Sequence, residues 1–345
     1  MKFGIHTTEN APHIASITPL AALPGGEVEL LGQRLTTEAY RQPIATIGDH
    51  PSPVTMSRAS KVRLHVPDGA ISGNVQLRVD GHASNAMPLS VGIAIADNMD
   101  PVANPVVDPD SNIYVGFSGQ RGQQSPTSVF QIDPEYQARP FVSGIMNATG
   151  LALDAEGNLF VSSRHEGTVH RVTPSGAKSI FAEGMGVATG LAFDAEGFLY
   201  VGDRSGTIFK IAQNRQVFVF ATLEPSVAAY HLAFNDSGTL LVSGPTTSAN
   251  ESIHAIEPNG EISSYYTGLG RPQGMAFDVD GNLYVAASLH GRRGVVRITP
   301  NREASLVISG SGIVGLAFLP EGDAVVATRD TVYHVGLDIV GRLLH

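Results

Sequence analysis

The residues of this chain best placed to do chemistry are those that break a repeated pattern. His231 follows Tyr230 at a position where four equivalent segments carry Gly (Gly150, Gly190, Gly274 and Gly315), and Asn104 is the other exception. An imidazole titrates near neutrality, so His231 is a candidate general base at a channel mouth, with a hydrogen-bonded packing role as the alternative. The residues just before these positions, Ala103, Thr149, Thr189, Tyr230, Gln273 and Val314, are mostly small or polar. With Asn104 and His231, the polar ones (Thr149, Thr189, Tyr230 and Gln273) form a candidate ligand-binding rim. Arg164, Arg204 and Arg329 occupy equivalent places one strand later in their segments. Their forked donors would suit an anion, while Asp203, Glu166 and Asp330 are close enough in sequence to pair with them instead.

Other chemistries lack their residues. The chain has no Cys, which excludes disulfides, thiolate catalysis and cysteine metal sites. His165, His170, His254, His290 and His334 show no zinc spacing, and His170, His254 and His334 fall inside expected strands, where a structural role is the default. The run Asp278-Val279-Asp280-Gly281-Asn282 resembles the start of a calcium loop but lacks the closing Glu, and its counterparts read as hairpin turns. No metal site and no cofactor is therefore expected. A formal charge of -10, with no Lys and Arg cluster beyond the tip His290–Gly294, argues against a nucleic-acid partner. No stretch is apolar enough to insert in a membrane. No signal peptide is read in MKFGIHTTEN, so the default address is cytoplasmic, or extracellular or cell-surface if a leader has been removed.

The elements that position these residues repeat six times. The copies are NPVVDPDSNIYV from Asn104, GLALDAEGNLFV from Gly150, GLAFDAEGFLYV from Gly190, HLAFNDSGTLLV from His231, GMAFDVDGNLYV from Gly274 and GLAFLPEGDAVV from Gly315. A period of about forty residues indicates propeller blades. Each copy is two apolar runs around an Asp/Glu/Gly-rich turn, which predicts a hairpin of the two inner strands. Third strands are expected at Val129–Ile132, Val169–Val172, Ile208–Ile211, Ile253–Ile256, Val295–Ile298 and Val332–Val335. Fourth strands follow in five copies, and residues 92–97 are expected to supply the sixth and close the ring. With 38 Gly, 21 Pro and 16% charged residues, the fold class is all-β.

Residues 1–11 read as a polar tail. Residues 12–91 show a different pattern, in which Glu27–Leu31, Val62–Val66 and Val75–Val79 alternate apolar and polar residues between Gly-containing turns, predicting a small β-sandwich. The order ITP, PGGEVELLG, an Ile-Gly-Asp turn and VPDGAISGNVQLRVDGHASN resembles the IPT/TIG domain, an immunoglobulin-like fold, and implies a spacer or contact module. Residues 92–345, with G-[LM]-A-F-D-x-x-G-x-L-Y-V, resemble the NHL-repeat and SMP-30/gluconolactonase six-bladed propellers. In SMP-30-like lactonases a rim Glu, with Asn and Asp residues, holds a divalent metal. Ala103, Thr149 or Thr189, Tyr230 and Gln273 stand where those ligands are implied, so the lactonase mechanism does not carry over.

The expected function is a non-catalytic binding or scaffolding protein whose propeller rim recognises a protein, peptide or glycan. The alternative is an SMP-30-type hydrolase remodelled around Asn104, His231, Gln273 and Arg204, with a divalent cation such as calcium. An RNA-binding platform is disfavoured by charge. Oligomeric state is left unassigned.

Overall fold

The computed structural model describes residues 11–37, 42–246 and 251–342. Apart from Ala11, the expected tail lies outside them. Among the described residues the chain is all-β, and no helix is long and apolar enough to cross a membrane. It divides into two compact units, Met1–Ile93 with Leu306–Ser311, and Ala94–Ser305 with Gly312–His345.

In the first unit, His13–Thr18, Glu27–Gln33, Lys61–His65 and Val54–Arg58 form one antiparallel sheet in that spatial order. A second surface pairs Met87–Val91 with Gly73–Val79, and Gly73–Val79 with Ile44–Ile47. The alternation in sequence becomes burial: Val28, Leu30, Val62, Leu64, Val75 and Leu77 share one core, while the residues between them face outward. Ala21–Ala22 pairs in parallel with Met87–Val91 on one side and with Ile308 and Ser309 on the other. Ser309 also accepts a hydrogen bond from Leu23 N at its carbonyl and one from Glu27 N at its hydroxyl.

The second unit is built of antiparallel sheets in sequence order. Val106–Val107, Ile113–Gly116, Val129–Ile132 and Ala138–Val142 make one, Ala148–Leu153 to Lys178–Ala182 the next, and Ala188–Phe193 to Val217–Thr222 a third. His231–Phe234 and Met275–Phe277 start two further runs, and Gly315–Phe318 starts the last. In that last sheet Ile93–Asp97 takes the outer position beside Thr331–Val335, as the residue pattern predicts. Second strands such as Leu159–Ser163 and Leu199–Asp203 are buried at every residue, because neighbouring sheets cover both faces, whereas outer strands such as Val217–Thr222 are largely exposed. The first strands touch one another in succession, and Gly315–Phe318 touches Val106–Val107 again, so these strands form a closed ring of contacts.

The recurring acidic residue explains the hairpins. Asp194 Oδ1 accepts from the backbone N–H groups of Glu196 and Phe198 at 3.0 and 2.9 Å, and Oδ2 accepts from the Tyr200 hydroxyl at 3.1 Å. Asp108 does the same for Asp110, Asn112 and Tyr114. Asp278 is consumed likewise by Asn282 and Tyr284 at 2.8 and 3.0 Å. Burial first and the adjacent aspartate second push these phenols upward, to about 12 for Tyr114. The sixth copy has Leu319 instead, buried beside Ile113 and Val325. Its acidic partner has moved to Asp323, which accepts from Leu337 N and pairs with His334 at 3.0 Å.

Candidate functional site

At one end of the ring the first strands converge to a neck. A methyl group on Gly150 would overlap the Thr189 carbonyl, and one on Gly274 would overlap Asn104 Oδ1, so the close approach requires glycine at both places. Asn104, the first exception to this glycine ring, donates from Nδ2 to the Met275 carbonyl at 2.6 Å and accepts from Leu316 N at 3.2 Å. Its amide stitches three first strands together.

The positions just before the neck are similarly committed. Thr149 donates to the Asn147 carbonyl at 3.0 Å. Thr189 donates to the Gly202 carbonyl at 2.8 Å and accepts from Tyr230 N at 3.1 Å. Tyr230 is buried over Gly202 and Gly244 and donates its hydroxyl to the Glu224 carbonyl, and burial pushes its pKa up to about 12. Gln273 reaches the Ile313 carbonyl at 3.4 Å. A hard divalent cation needs several oxygen donors, preferably charged, and this set offers Ala103, bonded hydroxyls and amides. Among the described residues, no group of three His, Asp or Glu is arranged to hold a metal ion. The residues do not fit the metal that the lactonase resemblance implies.

His231 is the second exception, and it is not committed. It is 3% exposed, and among the described residues its ring makes no hydrogen bond or ion pair. Burial alone pushes its pKa down to about 4, so the imidazole is neutral at neutral pH. It lines a cavity of about 510 Å3 that runs inside the ring from Asn104 to the hairpin turn Asn235–Gly238. The walls are Leu, Ala, Val and Phe side chains of all six first strands. Arg342 stands at the hairpin end: it donates to the Phe234 carbonyl at 3.4 Å, lies 5.0 Å from the Phe277 ring and pairs with Asp236 at 2.5 Å. The segment before it is held by backbone bonds, Val279 N to the Val340 carbonyl and Arg342 N to the Phe277 carbonyl.

On the neck side, the three candidate arginines separate. None pairs with Asp203, Glu166 or Asp330. Asp203 accepts from Val187 N and the Ser205 hydroxyl, Glu166 faces His170 at 3.5 Å, and Asp330 accepts from Thr328. Arg329 is exposed. Arg164 is half-buried, and its Nε is buried without a partner. Burial lowers its pKa, Asp100 raises it, and Arg204 and Arg121 lower it further, so three guanidinium groups and one carboxylate share this patch. Arg121 was not singled out from the sequence because it lies in an irregular connection with no counterpart in other copies. Asn147 positions it: Oδ1 accepts from Gly122 N at 2.9 Å, Nδ2 donates to the Ser118 and Gln120 carbonyls, and the Asn147 carbonyl accepts from Arg164 N. Arg204 is fixed by donation to the Val227 carbonyl at 2.9 Å.

No protein-family model matches the chain, and no curated protein matches it in sequence. Solved structures do. A putative gluconolactonase is 19% identical with a TM-score of 0.59, over 72% of this chain and 93% of its own. An auxiliary nutrient binding protein from Bacteroides thetaiotaomicron is 13% identical with a TM-score of 0.55, over 95% and 98%. Virginiamycin B lyase from Staphylococcus aureus is 13% identical with a TM-score of 0.51, over 86% and 94%. At these identities the likeness shows the fold, which is all-β and propeller-like.

Proposed function

We propose that the chain is a non-catalytic binding protein. In this reading the second unit is a six-bladed propeller of the NHL and SMP-30/gluconolactonase kind, closed by Ile93–Asp97, and the first is an IPT/TIG-like spacer or contact module. The rim on the neck side binds an anionic group of a protein, peptide or glycan through Arg164, Arg204 and Arg121. The observation that carries this is the buried Arg164 Nε, left without a partner in a patch where three guanidinium groups outnumber the single Asp100 carboxylate. A fold tolerates such a donor at a cost of about 1–3 kcal/mol, and a ligand carboxylate or sulfate would recover that cost. The nutrient-binding neighbours fit a non-catalytic role. The hydrolase reading rests on the gluconolactonase-like neighbour, and among the described residues no group of three His, Asp or Glu is arranged to support it with a metal.

The test is calorimetric titration of polygalacturonate, polyglutamate and neutral dextran into wild type and Arg164→Gln/Arg204→Gln. Binding of a polyanion that weakens at least about tenfold in the variant supports the proposal. Equal affinity in both proteins, or preference for dextran, overturns it.

A further inference from the structure

The cavity inside the ring is distinct from the arginine rim, because none of Arg121, Arg164 and Arg204 lines it. Both exceptions to the glycine ring line it, but their states differ. Asn104 uses both amide atoms on the backbone of neighbouring first strands. His231 uses neither ring nitrogen, although it is almost completely buried. In four copies the position is held by glycine, so the fold has no general need for an imidazole here. The His231 ring lines the cavity rather than being sealed among protein atoms, so a group inside the cavity can bond to it.

The surroundings define what would pair with it. Leu151, Leu191, Phe277 and Phe318 present apolar surface along the cavity. A volume of about 510 Å3 lies within the range of small-molecule sites, roughly 300–1,000 Å3. No acidic or basic group contributes to the state of His231, whose only perturbation is burial. A charged ligand head would therefore meet no counter-charge beside His231. A neutral imidazole offers one unprotonated nitrogen as acceptor and one N–H as donor. The matching group is an uncharged hydroxyl on an apolar body. Charge is confined to the other end, where Arg342 and Asp236 already pair with each other.

We infer that the ring encloses a second binding site, for a small apolar molecule carrying a hydroxyl group, with the hydroxyl bonded to His231 and the apolar body against the first strands. The molecule would reach it from the hairpin end, past Asp236 and Arg342, and independently of the arginine rim. No covalent step is involved.

The chain has no Trp, so a fluorescent aromatic probe can be followed with little protein background. The experiment titrates 2-naphthol, and naphthalene as its partner lacking the hydroxyl, into wild type, His231→Leu and Ala276→Leu. Ala276 lines the cavity, and the larger side chain at that position narrows it. Wild type should bind 2-naphthol at one site, about tenfold or more tighter than naphthalene. His231→Leu should bind the two equally, and Ala276→Leu should weaken both. Circular dichroism establishes that each variant is folded, and Ala276→Leu tests the cavity by itself if His231→Leu is not. No binding by wild type, or a hydroxyl preference that survives in His231→Leu, overturns the inference. Arg164→Gln/Arg204→Gln should bind 2-naphthol as wild type does, so the two sites fail or stand separately.

Discussion

Replacing His231 by Leu should flatten the acid side of the stability profile. In the folded protein burial holds the imidazole near a pKa of about 4, against an ordinary value of 6.5. Between those values the unfolded chain binds a proton that the folded chain refuses, so stability rises with pH through the window and is lost as pH falls through it. The loss begins below about pH 6.5 and is complete below about pH 4. Linkage gives the His231 contribution as negligible near pH 7, about 2 kcal/mol of destabilisation near pH 5 and about 3 kcal/mol near pH 4. Leu does not titrate, so the difference between wild type and His231→Leu should grow by those amounts on acidification, in favour of the variant. Near neutral pH Leu also removes an unpaired polar group, so the variant should be no less stable there by more than about 1 kcal/mol. Urea unfolding followed by circular dichroism near pH 7, 5 and 4 measures both effects. His170 and His254 are also pushed down by burial, but they are common to both proteins and cancel in the difference. Parallel stability curves for the two proteins would refute the reasoning, because they would mean that the ring is solvated or paired in the folded state.

Asn104→Ala, at the other exception, should behave oppositely, losing about 2–4 kcal/mol at every pH because the Met275 carbonyl and Leu316 N–H lose their partner at the neck; urea midpoints at two pH values check this. Tyr200→Phe should cost about 1–2 kcal/mol by removing a hydroxyl bond to the Asp194 carboxylate, read by thermal unfolding. Gly341→Ala should cost about 1–3 kcal/mol, since the added methyl meets the Phe318 side chain, and the same unfolding assay should show it.

The sequence revealed most where the structure repeats. The motif around Asp194 is legible because its chemistry is local: the carboxylate caps its own turn and bonds the tyrosine six residues on, so the copies that carry the pair, at Asp108, Asp194 and Asp278, carry it at one spacing. Ile93–Asp97 was legible for a related reason, since an incomplete last unit leaves one strand position to fill. Two other features had no such signal. Ile308 and Ser309 pair with Ala21 and Ala22 through backbone groups alone, across nearly the whole chain, and two alanines give no period to read. Val340 to Arg342 likewise lie along Phe277 to Val279 by main-chain bonds, so GLDIVGR reads as a remainder until its partner is seen.

For the candidate site, departure from the repeat marks positions but does not assign their roles. It marks Asn104, Tyr230, His231 and Gln273 equally, yet the structure divides them by whether their polar atoms are used. Asn104, Thr189 and Tyr230 spend theirs on backbone carbonyls at separations of 171, 13 and 6 residues, with no common spacing for the sequence to display. The His231 ring, which lines the cavity, and the Nε of Arg164 have no such partner among the described residues. The two lie on opposite sides of the neck and differ in charge. An imidazole held neutral by apolar walls selects against ions, while a guanidinium beside two others selects for them. The cavity that His231 lines includes none of Arg121, Arg164 and Arg204. If the protein binds through these groups, it binds two chemically distinct partners, and mutation of either group should leave the affinity of the other site unchanged.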